Sequence, residues 1–133
     1  MGYEEEVPFE TLKGKTLIAI SGAKVGSDEI VFTCSDGERF RMFHRQDCCE
    51  SVSVEDVLGD IAKLIGEPLV YCYESASGQR PGDVPTPDYE PDSQTWTFYR
   101  MGTQSSGAVV LRWLGESSGY YSESVSFEKL VEG

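Results

Sequence analysis

The sequence has few positive charges and no long apolar run, and each shortage argues against a class of function. Its 133 residues include 11 Lys and Arg against 23 Asp and Glu, which gives a formal net charge of −12. A chain of this charge repels nucleic acid and anionic membrane surfaces. It also lacks a stretch near the ~18 apolar residues that a membrane-spanning helix needs. We therefore expect no direct binding to nucleic acid and no insertion into a membrane.

The chain is also poor in cysteine and begins without the features of a secretory signal. Its first ten residues, MGYEEEVPFE, are acidic where a signal peptide is basic, and no apolar core follows them. Four cysteines are too few for a disulfide scaffold, and two of them are adjacent in sequence. We expect four free thiols, a reduced compartment and a cytoplasmic location.

Two alternating runs around an Asp-Gly turn predict a β-hairpin. The runs are Glu29–Cys34 and Arg39–His44, and Asp-Gly between two such runs favours a tight turn. On the second run, alternation directs Phe40, Met42 and His44 to the core side of the sheet.

The segment 53–65 has the apolar spacing of a helix. Ser53 is a candidate N-cap, and Gly66 followed by Pro68 forms a stop signal. Six apolar residues recur at helical intervals within it: Val54, Val57, Leu58, Ile61, Leu64 and Ile65.

The remaining strand-like runs complete the predicted architecture. The element order is β-β-β-α-β-β-β-β, which favours an α+β fold: a mainly antiparallel sheet of about six to seven strands with one covering helix. We predict a flexible acidic arm at residues 1–8 and a single domain over residues 9–133. A Pro- and Gly-rich stretch at residues 76–93 is long for a compact domain, so we expect a mobile loop there. The other strand-like runs are 16–25, 69–74, 95–101, 108–114 and 124–130.

Polar side chains concentrate between the hairpin and the predicted helix, in the run His44–Glu50. His44 and Cys48 have a spacing that could bind a metal together with Asp47 or Glu50, although the chain has a single histidine. The same Cys, His and Asp types could support nucleophilic catalysis, but three such residues within five positions are splayed apart by the backbone. A purely structural role, with buried cysteines and a histidine at the edge of the core, is also open.

The remaining interpretation is a binding surface made by this run and the late loop GESSGYYSE. Aromatic and amphipathic side chains suit recognition because they supply contact area at low entropic cost. We predict no catalytic residue, no metal ligand and no cofactor. The predicted binding residues are His44, Gln46, Asp47, Cys48, Cys49, Glu50, Trp96, Glu116, Tyr120 and Tyr121.

A basic and aromatic stripe precedes this run. Arg39, Arg41 and Arg45 flank Phe43, a pattern that a single-strand nucleic-acid binder could use. The net charge of −12 favours an ordinary salt-bridged face instead.

Several segments resemble an uncharacterised family of small acidic proteins met in bacteriophage and prophage genomes. They are F-x-M-F-H-R-Q-D-C-C-E-S-V-S-V-E-D-V-x-G-D, S-Q-T-W-T-F-Y and R-W-L-G-E-S-S-G-Y-Y-S-E-S-V, and the resemblance covers residues 9–130. It implies a phage accessory protein in the cytoplasm of the bacterial host, and residues 79–92 look like an insertion.

The resemblance sets the expected function. We expect a non-enzymatic protein that binds and inhibits a host protein or a nucleic-acid-handling complex with a basic surface, as anti-CRISPR-like counter-defence proteins do. The partner could also be a phage protein, and the sequence leaves the oligomeric state open. The alternative is a small-ligand or metal-binding domain, with or without hydrolytic activity, that uses the His44–Glu50 turn.

Overall fold

Alternating apolar and polar residues dominate the chain, and they pair as β-strands. A computed structural model describes residues 2–86, 88–89 and 91–132. Helical structure over these residues is limited to two 3₁₀ turns, Phe9–Leu12 and Ile61–Leu64. The described residues form nine strands: β1 Gly2–Glu6, β2 Leu17–Ser21, β3 Glu29–Cys34, β4 Arg39–Phe43, β5 Ser51–Leu58, β6 Leu69–Ser77, β7 Ser93–Thr103, β8 Val109–Ser117 and β9 Ser126–Glu132.

The strands make two antiparallel sheets around one core. Sheet 1 has the strand order β1-β9-β4-β3-β2, and sheet 2 has the order β5-β8-β7-β6. Phe32 and Phe40 of sheet 1 share a buried cluster with Tyr99 and Trp113 of sheet 2. The indole N–H of Trp113 reaches the sulfur of Met42 at 3.2 Å, which joins the two layers directly.

The predicted hairpin is confirmed. β3 pairs with β4, and Gly37 lies in the connecting turn with φ +90°, a conformation that favours glycine. Phe40 and Met42 are fully buried, as the alternation predicted. The side chain of His44 is 4% exposed at the end of this strand.

The predicted α+β class and its covering helix are wrong, because residues 53–65 contain most of β5 rather than a helix. The register of β5 against β8 shifts between Val54 and Asp56, so Glu55 is an extra residue in a β-bulge. The bulge lets Val54 and Val57 both pack against the core although they are three positions apart. Three-residue spacing of apolar side chains is also the helical signal, and the bulge reproduces it.

The second half of the same segment also has apolar residues at helical spacing, because it contains a 3₁₀ turn. Gly59 ends the strand with φ +104°, and a Cβ there would lie 2.8 Å from the carbonyl oxygen of Ala108. Asp60 then caps the second 3₁₀ turn by accepting a backbone hydrogen bond at 3.0 Å. That turn places Ile61 and Leu64 against the core, again three residues apart.

The two segments expected to be flexible both make contacts with the sheets. The predicted arm at residues 1–8 contains β1, which pairs with β9. Between β6 and β7, the segment 78–92 forms no strand among its described residues, and Asp83 within it accepts a hydrogen bond from Arg112 at 3.1 Å. Four residues of the predicted arm, loop and domain lie outside the described residues: Met1, Pro87, Glu90 and Gly133. Across the described ranges, no helix is long and apolar enough to cross a membrane.

The bulge assigns opposite environments to two apolar residues of β5, and this can be tested by truncation. Val54 is 1% exposed and Leu58 is 38% exposed. We expect Val54→Ala to lower the free energy of unfolding by about 2 kcal/mol, because it removes buried methyl groups. Leu58→Ala should cost about 0.5 kcal/mol or less, as a surface substitution does. Urea denaturation of both variants measures this, and a larger loss for Leu58→Ala would contradict the assigned register.

Candidate functional site

The carboxylate of Glu50 lies at the centre of the 44–50 turn. It accepts hydrogen bonds from the Nε2 atom of His44 at 2.7 Å and from the backbone N–H groups of Asp47 and Cys48 at 2.8 and 2.9 Å. These hydrogen bonds, that of His44 first, lower the pKa of Glu50 to about 2 against the opposing effect of desolvation. The carboxylate is therefore ionised near neutral pH, and it fixes the shape of the turn around it.

His44 connects this turn to a second loop. Its Nδ1 atom lies 2.7 Å from the carbonyl oxygen of Ser124, while Nε2 faces the carboxylate of Glu50. Both ring nitrogens are therefore engaged, one by each loop. The side chain of His44 thus ties the 44–50 turn to the start of β9.

A second buried carboxylate, that of Glu123, organises the 116–124 loop. It accepts hydrogen bonds from the hydroxyls of Thr95 at 2.7 Å and Ser117 at 2.5 Å. Burial raises the pKa of Glu123, but these hydrogen bonds outweigh burial and the pKa lies below its usual value. The backbone of Gly115 permits this close approach, because a Cβ there would lie 2.6 Å from the carbonyl oxygen of Glu123.

Strand pairing brings the two loops to the same end of sheet 2. Ser51, which follows the 44–50 turn, is opposite Glu116 in the pairing of β5 with β8. Among the predicted binding residues, His44 and Glu50 have buried side chains, and Glu116 and Tyr121 are half-buried. Tyr120 is 89% exposed. The other exposed members of the predicted set are Gln46, Asp47, Cys48 and Cys49.

Trp96 is placed differently from the rest of the predicted set. Its side chain is 1% exposed and lies outside the core shared by the two sheets. It lines a cavity beneath the segment 78–92, with Glu116 on the same cavity wall. The residues of the second loop that hold its shape, Glu123 and Ser124, were not predicted, since single Glu and Ser residues in a polar loop carry no distinguishing sequence signal.

The cysteines depart in part from the expected free thiols. Cys48 and Cys49 are joined by a disulfide, so that expectation is wrong for this pair. Cys34 and Cys72 are free and buried. Burial raises the pKa of the Cys34 thiol to about 11 and that of Cys72 to about 12. Neither supplies a thiolate nucleophile near neutral pH.

The groups of the 44–50 turn that could bind a metal or catalyse hydrolysis are already engaged by other residues. Both ring nitrogens of His44 are engaged by Ser124 and Glu50, and Cys48 bonds to Cys49. Within the described ranges, no group of three or more His, Cys, Asp and Glu side chains could hold a metal ion. The turn therefore offers neither a His–Cys ligand pair nor a Cys–His catalytic pair.

The basic and aromatic stripe forms a salt-bridged cover on sheet 1. The guanidinium groups of Arg41 and Arg45 lie over the ring of Phe43 at 3.8 and 5.1 Å. Both arginines also pair with the carboxylate of Glu128, which is 1% exposed. The interpretation as an ordinary salt-bridged face is confirmed for these two arginines.

The chain is a two-sheet β domain in which two buried glutamates, Glu50 and Glu123, fix the shape of the polar loops at one end of sheet 2. The chain belongs to the family described as a domain of unknown function, DUF7448, whose model matches residues 10–127. No curated protein and no solved structure matches the chain significantly. The expected membership in an uncharacterised family is confirmed at this level.

The lowered pKa of Glu50 predicts a specific loss of stability in acid. In the folded state the pKa of Glu50 lies below its ordinary value of 4.5. The contribution of this carboxylate to the free energy of unfolding is therefore fully present above pH 4.5 and is lost as the pH falls towards 2. The difference in free energy of unfolding between the wild type and Glu50→Gln should therefore be largest near neutral pH and shrink in acid.

Chemical denaturation across this pH range measures the difference. Glu6→Gln, at an exposed carboxylate on β1, is the matched control and should differ little from the wild type at any pH. A Glu50→Gln difference that is unchanged between pH 7 and pH 2 would contradict the role given to this carboxylate.

Proposed function

We propose that the chain is a non-enzymatic binding protein of phage type that docks onto a basic surface of a partner protein and inhibits it. The observation that carries the proposal is the pair of adjoining loops at one end of sheet 2, each shaped by a buried glutamate. These loops expose the side chains of Asp47 and Tyr120. Asp47 contributes to the shape of its turn through its backbone N–H, which donates to Glu50, and not through its side chain. Polar and aromatic groups held on a rigid base are typical of recognition surfaces.

The charge of the chain supports a basic partner. A net charge of −12 raises the rate at which a positively charged surface meets this protein, and complementary potentials favour the correct orientation. Basic channels that handle nucleic acid are surfaces of this kind. Occupation of such a channel would block it, which is a direct physical route to inhibition.

Support for a phage setting comes from the sequence. The segment from His44 to Glu50 and the segment from Gly115 to Glu123 resemble those of small acidic phage proteins. Counter-defence against a host complex, as with anti-CRISPR-like proteins, is the corresponding role, exerted in the cytoplasm of the bacterial host. The chemistry of the site is in keeping with binding rather than catalysis, since its histidine and its vicinal cysteines are already engaged.

The exposed side chains of the two loops should carry the binding energy. We expect Tyr120→Ala and Asp47→Ala each to weaken partner binding by about 1–4 kcal/mol, as anchor residues do, with little effect on folding. The partner is captured from lysate of the bacterial host, identified by mass spectrometry and purified, and its Kd is then measured for each variant.

The matched control for this experiment is Tyr73→Ala, because Tyr73 is 49% exposed on β6, away from the two loops. It should leave the Kd unchanged. Binding of the wild type should weaken as salt is raised, since the attraction is largely between exposed charges. Unaltered binding by both loop variants, with native stability, would contradict the proposal.

A further inference from the structure

A cavity of about 110 Å³ lies against the outer face of sheet 2, beneath the segment 78–92. Trp96 and Leu114 line it from the sheet, and Val84 and Pro85 line it from the covering segment. Its size corresponds to about four water molecules at liquid density, or to one short aliphatic side chain with its adjoining backbone atoms. A cavity of this size and lining accepts a single apolar residue.

One polar atom in this wall is unsatisfied. The Nε1 atom of Trp96 is buried and, within the described part of the chain, has no hydrogen-bond partner. A buried donor without an acceptor is costly, and such groups are rare in folded proteins. This indole N–H is therefore suited to an acceptor that arrives with a ligand.

Each acidic group of the same wall has one donor side chain and keeps further capacity to accept hydrogen bonds. The carboxylate of Glu116 accepts a hydrogen bond from the hydroxyl of Tyr89 at 3.2 Å, and that of Glu55 accepts one from the guanidinium of Arg112 at 2.6 Å. Two carboxylates beside the cavity also disfavour an anion, in spite of Arg80 on the same wall. The acceptor that fits this environment is a neutral carbonyl oxygen.

The covering segment is fastened to the sheet. The guanidinium of Arg112, which is 4% exposed on β8, is held by Glu55 and reaches Asp83 of the segment at 3.1 Å. It also lies 5.9 Å from the ring of Trp96. These contacts form the cavity before any ligand binds, so little ordering cost remains for binding.

We propose that this cavity binds one apolar residue of a basic peptide segment. The backbone carbonyl of that segment accepts the indole N–H of Trp96, and a neighbouring Lys or Arg faces Glu55 and Glu116. The inference deepens the proposed function and rests on it for the identification of the ligand as part of a partner protein.

Amide NMR of the ¹⁵N-labelled protein tests this inference directly, because the chain has two indole N–H groups. That of Trp113 bonds to the sulfur of Met42 and serves as an internal control. Titration with N-acetyl-Val-Lys-amide should shift the Trp96 signal and leave the Trp113 signal in place. N-acetyl-Val-Glu-amide should bind about two- to fivefold more weakly, the ratio expected for one exposed ion pair.

The variant Trp96→Phe keeps an aromatic ring and removes the donor. It should weaken binding of the Lys peptide about two- to tenfold, the effect of one neutral hydrogen bond. Binding to this variant is followed by the backbone amide signals of Leu114 and Glu116, which line the cavity, and an unchanged Trp113 signal is the evidence of an intact fold. No shift of the Trp96 signal with either peptide would overturn the inference, as would equal affinity for the two. A shift with isobutyrate alone would also overturn it, in favour of a small carboxylate ligand.

The inference and the proposed function can fail separately. If Tyr120→Ala weakens partner binding while neither peptide moves the Trp96 signal, the cavity inference is wrong and the proposed function stands. If the Lys peptide binds as described while both loop variants bind the partner normally, the cavity inference stands and the recognition surface proposed above is wrong.

Discussion

The hydrogen bonds of His44 to Glu50 and to Ser124 are the contact on which the polar end of this domain depends. They join two loops that come from different parts of the chain, and they do so with a carboxylate that is removed from water. A buried charge is stable only when its hydrogen-bonding capacity is met, and Glu50 meets it with His44 and two backbone N–H groups. In the second loop, the buried carboxylate of Glu123 likewise has its hydrogen bonds met, by the hydroxyls of Thr95 and Ser117. The exposed side chains above these networks are therefore held in place before any partner arrives, which lowers the entropic cost of binding.

Local sequence signals were enough to predict the elements that are governed by local chemistry. The hairpin of β3 and β4 follows from strict alternation around an Asp-Gly turn, and its inward residues Phe40 and Met42 are buried. The helix predicted at 53–65 was wrong because a β-bulge at Glu55 and a 3₁₀ turn both put apolar residues three positions apart. Only the pairing of β5 with β8 distinguishes that pattern from a helix.

The candidate site was also predictable only as far as local sequence signals mark it. The concentration of polar residues at 44–50 marked one of the two loops, and GESSGYYSE marked the other. What the sequence could not indicate is which members face inward, since that depends on residues distant in the chain. Thr95 donates to the carboxylate of Glu123, and the carbonyl of Ser124 contacts His44, the side chain that bonds to Glu50. The unsatisfied indole of Trp96 likewise depends on how the segment 78–92 lies over sheet 2.

The most direct test of this account is hydrogen exchange of the backbone amides in His44→Phe. Phe keeps a ring of similar shape but makes neither hydrogen bond, so the coupling between the loops is lost while packing is largely kept. The account predicts faster exchange in both the 44–50 turn and the 116–124 loop, with unchanged exchange in the centre of β7. Exchange that rises in the 44–50 turn alone, or in neither loop, would contradict the claim that His44 holds the two loops together.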